Sequence, residues 1–230
     1  MSRILPIAIL AATTATGVAA ETKDFDLNGF DKVQISAGVE VTVVTGKEFR
    51  VIAEAKRGSL RRLHLDVDGD TLEIGRAKGF GLLSGSRRDK FEVTVMMPEL
   101  TKVDARSGSS VGVSGTATVL EQATASSGAR LDIEAVTTSA LDLEASSGAT
   151  VRVAGACGTL HAESRSGSSL SGTNLICKTG ELDVSSGASI KVHIQDSVDT
   201  HASSGGSIRI AGGATQGMTE TKSGGSVRFN

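Results

Sequence analysis

The sequence holds no tryptophan and no tyrosine, and aromatic residues make up only 3% of its 230 positions. Thick globular cores draw heavily on such rings. Their scarcity, beside 28 glycines and abundant Ser, Thr and Ala, fits a thin-cored rod better. It also removes the rings that usually stack against sugars. A dominant charge is lacking too: 24 basic against 26 acidic residues leave a formal charge of −2. That balance argues against nucleic acid or an anionic membrane as the main partner. No apolar run is long enough to cross a bilayer, since the longest, Ile4 to Ala12, is broken by Pro6. Helical periodicity is absent beyond that run. Cysteine is limited to Cys157 and Cys177.

The first 20 residues combine Arg3, the apolar run and a small-residue end, Val18-Ala19-Ala20, before Glu21. This is the pattern of a secretory signal peptide over residues 1–20, cleaved near Ala20. No cysteine follows the run, so a lipid anchor is not indicated. A mature chain in the periplasm or outside the cell, with no transmembrane segment, is expected.

What the sequence does have is repetition. Arg106-Ser107-Gly108-Ser109-Ser110-Val111-Gly112-Val113 is rewritten to the end of the chain, with the Ser-Gly glycine at Gly108, Gly128, Gly148, Gly167, Gly187, Gly205 and Gly224. A fixed period of 18 to 20 residues means stacked units. Three residues before each glycine stand Ala105, Ala125, Ala145, Ser164, Val184, Ala202 and Thr221; three after it stand Val111, Leu131, Val151, Leu170, Ile190, Ile208 and Val227. Both columns are small or apolar, and they alternate with polar residues in the period of two that a one-sided strand shows. Each unit therefore reads strand, Ser-Gly turn, strand, return. Columns held through seven units predict an all-β parallel solenoid of about 19–20 residues per coil, with equivalent residues above one another. The serine before each glycine is expected to bond to turn backbone groups.

Residues 21–100 read as an N-terminal β-rich section of the same domain, and 101–230 as the Ser-Gly repeat solenoid. Val33, Ile35, Gly38, Val39, Val41 and Val43 repeat the unit in degraded form, and strands follow over 49–55, 63–67, 72–74 and 91–97, with a tight turn at Asp68-Gly69-Asp70. A loop at 76–90 carries Gly79-Phe80-Gly81-Leu82-Leu83 between basic flanks. It reads as a mobile loop or core plug, or as an apolar tip that docks on a partner or an anionic lipid. The chain ends on a repeat, Ser226-Val227-Arg228-Phe229-Asn230, and an open rung there invites association with a second copy.

The tandem Ser-Gly units, the strands before them, the run Val95-Met96-Met97-Pro98-Glu99-Leu100 and the closing Ser223-Gly224-Gly225-Ser226-Val227 together resemble the head GIN domain family of auto-transporter adhesins, from about Phe30 to Phe229. The resemblance implies a secreted or envelope-associated right-handed β-helix with an adhesin-like role. It brings no catalytic residues.

Two charged columns flank the turns. Six and four residues before the glycines lie Asp142 and Glu144, His161 and Glu163, and Glu181 and Asp183, within a largely acidic face. This array is the candidate binding surface. Stacked carboxylates repel, so calcium is the cation it would suit, although a solvated face that keeps the rod soluble explains it equally without a ligand. No histidine spacing marks a zinc site, and no cofactor is indicated. On the other limb Arg130, Arg152, Lys191, Arg209 and Arg228 make a basic column broken by Asp132. Cys157 and Cys177 each lie ten residues before a repeat glycine, which places them on adjacent rungs and predicts a disulfide; two buried thiols are the alternative. Gly108-Ser109-Ser110-Val111-Gly112 matches the G-x-S-x-G elbow, but a strand rather than a helix is expected after it.

The expected function is a non-enzymatic envelope or extracellular module that binds a surface polymer, a protein or another copy of itself. A polysaccharide-active enzyme is the alternative, weakened by a period that leaves no room for the insertions that build a cleft. A self-assembling rod, acidic face against basic face, is a third.

Overall fold

The computed structural model describes residues 21–77, 89–115, 117 and 119–230. The signal-peptide reading of residues 1–20 and the apolar tip at 79–83 lie outside them. The described chain is all-β, a solenoid of about six turns with one short 3-10 turn at Leu60–Arg62.

The repeats stack as their columns require. Strands β8 (Lys102–Ala105) and β9 (Ser110–Ser114) form one rung, β10 (Gln122–Ala125) opens the next, and β11 (Arg130–Ala145), β12 (Thr150–Ser164), β13 (Ser169–Val184) and β14 (Ser189–Ala202) each run round a coil. β15 (Ser207–Ala211), β16 (Thr215–Thr221) and β17 (Ser226–Phe229) close the stack. Every pairing among them is parallel: Leu131 stands beside Val151, Val151 beside Leu170, and Leu170 beside Ile190. All four are fully buried, and a side chain of that kind contributes roughly 1.5–3 kcal/mol on leaving water. The ladder falls away at the last rung, where Val227 is only half-buried and Phe229 is 39% exposed.

The corner between the two strands of a rung is a tight turn in which serine and glycine both take positive φ, 53° and 69° at Ser107-Gly108. The amide of Ser109 donates to the carbonyl of Arg106, which closes a four-residue turn of type I′. Glycine enters this region freely; serine pays for it, and does so in all seven repeats. The stack supplies compensation through the backbone: Gly108 N–H donates to Ser127 C=O at 3.0 Å, Gly128 to Ser147, and so on to Gly205 and Ser223. The serine hydroxyls make no hydrogen bond within the protein, contrary to the local bonding expected of them. Their carbonyls, not their side chains, tie the corners together.

The N-terminal section departs from the simple period. β2 (Lys32–Ile35) and β3 (Glu40–Thr45) form a rung whose corner, Ala37-Gly38, repeats the positive-φ pair. Their neighbours are β8 and β9, so Lys32 faces Lys102 across 70 residues of sequence rather than 20. The intervening chain doubles back. β4 (Arg50–Arg57) and β5 (Leu63–Asp68) run antiparallel to β7 (Lys90–Met97) and β6 (Thr71–Arg76), which themselves lie parallel to β3 and β2, and β1 (Glu21–Phe25) pairs antiparallel with β4. Antiparallel strands thus cap the end of the parallel stack.

In the β6–β7 rung the segment 77–89 replaces the Ser-Gly corner. Arg76 Nε donates to Ala37 C=O at 2.8 Å, the acceptor that a turn glycine serves elsewhere. Asp89, 4% exposed at its side chain, receives Arg62 Nη1 at 3.1 Å and lies 3.9 Å from Arg76 Nη1, so it anchors the end of the segment.

Candidate functional site

Parallel register turns sequence offsets into arrays. Asp142 stands beside His161 and His161 beside Glu181; Glu144 stands beside Glu163 and Glu163 beside Asp183. All six candidate residues therefore meet on three successive rungs of one face. The array continues through Asp199, His201 and Glu220. His161 Nδ1 lies 3.5 Å from Glu181, and His201 Nδ1 lies 3.2 Å from Glu220.

Two shallow grooves mark this face. One of about 500 Å³ is lined by Glu121, Thr138, Asp142, Thr159 and His161, and one of about 170 Å³ by Glu181, Asp183, Asp199, His201, Met218 and Glu220. Met218, at the edge of the second, is 78% exposed.

The face is less acidic in effect than its residue types imply. Residues four before the glycine sit beside the corner, and where the corner opens with a cation the two pair: Asp104 with Arg106, Glu163 with Arg165, and Glu220 with Lys222. Asp104 is buried, and its carboxylate holds the Arg106 guanidinium above its ordinary value. The Lys222 ammonium, helped by His201, holds the Glu220 carboxyl below the usual range. Where the corner opens with serine, at Ser146 and Ser185, Glu144 and Asp183 form no ion pair. Among the described residues no group of three or more His, Cys, Asp or Glu side chains is arranged to hold a metal ion.

Cys157 and Cys177 are register partners and form a disulfide, with Cα atoms 4.5 Å apart and both residues buried. Ser110, the middle residue of the G-x-S-x-G match, opens strand β9, and no helix follows; the strand-to-helix elbow is not formed. His64 lines a groove of about 350 Å³ with Gln34, Ser36, Glu73 and Arg76, and His193 lies on β14, so the four histidines do not converge. The buried carboxylate Asp89 was not legible as a centre in the sequence. It sits among basic residues whose convergence depends on the hairpin fold of β5 and β6.

A stack of in-register coils that presents columns of side chains from long faces is a β-solenoid of the kind found in surface-binding proteins. The chain belongs to the family described as "Putative auto-transporter adhesin, head GIN domain", which matches residues 29–214. Solved structures share its fold. A putative adhesin from Bacteroides fragilis superposes with a TM-score of 0.78 at 16% identity, covering 93% of this chain and 98% of its own. A putative adhesin from Parabacteroides merdae gives 0.70 at 13% identity, covering 92% and 96%. A protein from Parabacteroides distasonis described as a putative lipid binding protein gives 0.67 at 12%, also covering 92% and 96%. At these identities the likeness is one of fold. No curated protein matches the chain.

Proposed function

We propose that the protein is a non-catalytic binding module of the cell envelope or its exterior, in the periplasm or beyond the outer surface, whose long faces engage a surface polymer or protein. The observation that carries this reading is the array itself. Successive coils repeat outward-facing side chains at one strand spacing, about 4.8 Å, so a ligand with its own repeat can be met rung by rung. Membership of an adhesin family and the likeness to adhesin folds support it. The columns run without insertions large enough to wall a cleft, as a binding face requires and a depolymerising enzyme does not.

Retention of the purified protein on envelope fragments tests the reading. The wild type is expected to be retained, and a charge-reversed acidic face (Asp142→Lys, Glu144→Lys, Glu181→Lys) reports whether that face takes part. No retention of the wild type would overturn the binding reading; equal retention of both would remove the acidic face from it.

A further inference from the structure

The opposite limb of each coil offers a second array that the acidic candidate does not use. Two and four residues past each turn glycine, side chains point outward from the strand that follows the corner. Near the N-terminal cap the cations of this limb are neutralised: Lys90 reaches Glu40 at 3.2 Å and Glu92 at 3.3 Å, and Lys56 reaches Glu54 at 2.8 Å. In the middle of the rod Arg152 meets Asp132 at 3.3 Å. The far end differs. Lys191 is the register partner of Arg209, and Arg209 of Arg228, so three exposed cations stand in line on three adjacent strands. None of them has an ion pair or a side-chain hydrogen bond.

Like charges directly opposite one another weaken a sheet, and nothing within the fold relieves this row. Beside it runs a row of hydroxyls: Ser189, Ser207 and Ser226 stack two residues earlier in the same strands. Ser189 Oγ also lies 3.4 Å from Ser169 Oγ one rung back. At about 4.8 Å per strand the cation row spans roughly 10 Å.

Resting on the binding-module reading above, we propose that Lys191, Arg209 and Arg228 form the seat of a linear anionic polysaccharide. Its carboxylate or sulfate groups lie along the cation row and its hydroxyls along the serines. A polymer fits because the charges are collinear and evenly spaced, whereas a single small anion would leave most of the row unrelieved. A sugar chain fits the neighbouring hydroxyls, which exchange hydrogen bonds with other hydroxyls and give no apolar surface for acyl chains. The acidic face of a second copy fits less well, because Asp104, Glu163 and Glu220 already carry Arg106, Arg165 and Lys222 as partners.

The test measures binding of the purified protein to dextran sulfate and to polygalacturonate across a salt series, with neutral dextran and anionic lipid vesicles as comparison arms. The wild type is expected to bind the charged polymers and not neutral dextran. The variant Lys191→Ser/Arg209→Ser/Arg228→Ser should bind at least about tenfold more weakly, and its slope of log K against log salt should be shallower by about 2. A second variant, Lys191→Arg/Arg209→Lys/Arg228→Lys, keeps the charge and should keep the affinity, which separates loss of the row from loss of fold. Equal polymer affinity of the wild type and the serine variant, binding to neutral dextran as tight as to the charged polymers, or preference for the vesicles would each overturn the assignment. On envelope fragments, undiminished retention of the serine variant would remove the row while leaving the binding module standing. Failure of the wild type to be retained would instead remove the module.

Discussion

Removing the disulfide by Cys157→Ala/Cys177→Ala perturbs the unfolded chain more than the folded one. In the coil the two residues are already register partners, and neighbouring strands hold their Cα atoms 4.5 Å apart. The bond therefore adds little order to the native state, but it closes a loop of 20 residues in the denatured ensemble. Loop-closure entropy for that length amounts to about 3 kcal/mol. In a chain of this size each kcal/mol moves the midpoint by about 2–4 °C, so the variant should melt roughly 6–12 °C lower. Two side chains also shrink inside the core, which acts in the same direction. Thermal melts followed by circular dichroism give the shift. Guanidinium titration should show a lower midpoint with a larger m value, because the unbridged chain exposes more surface on unfolding. The sulfurs are buried, so a reductant added to the native protein should act only as the protein opens. A melting temperature unchanged in the double variant, or two free thiols in the denatured unreduced wild type, would refute the reasoning.

Other perturbations test the packing and the charges. Leu160→Ala, at a fully buried position, should cost about 2–5 kcal/mol in chemical denaturation, whereas Met218→Ala, 78% exposed, should be near neutral; similar costs would contradict the core assignment. Gly155 has φ +131°, and a Cβ there would lie 2.0 Å from the Val136 carbonyl oxygen, so Gly155→Ala should destabilise by more than about 1 kcal/mol; a melt no lower than that of the wild type would speak against this close approach. The Asp70 carboxyl is held below its ordinary value by Lys32, and that of Glu220 by Lys222. Groups depressed in the folded state stabilise it above their unfolded pKa values and lose that contribution as pH falls through the folded ones. Both pairs are exposed, so melting temperatures should be nearly flat above the carboxylate range and fall only below it, with Lys222→Met reducing the dependence slightly. A fall that began near neutral pH would refute this.

The sequence itself determined the solenoid from Lys102 onward, because a periodic chain folded in register has to place like upon like. The Ser-Gly spacing carried the turns, the alternation carried the buried columns, and the cysteine offset carried the disulfide. The acidic and basic arrays were legible for the same reason. Which charges in them are neutralised was not, since that depends on side-chain reach: Arg165 turns back to Glu163, while Lys191, Arg209 and Arg228 find no carboxylate. Tertiary structure alone decided the N-terminal cap. There the period lapses between Thr45 and Lys102, and the chain inserts a rung beneath its own first coil through pairings 39 to 70 residues apart in sequence. No local pattern encodes that choice, because antiparallel and parallel partners present the same alternating faces. Only competition for the open edge of β2 and β3 selects between them.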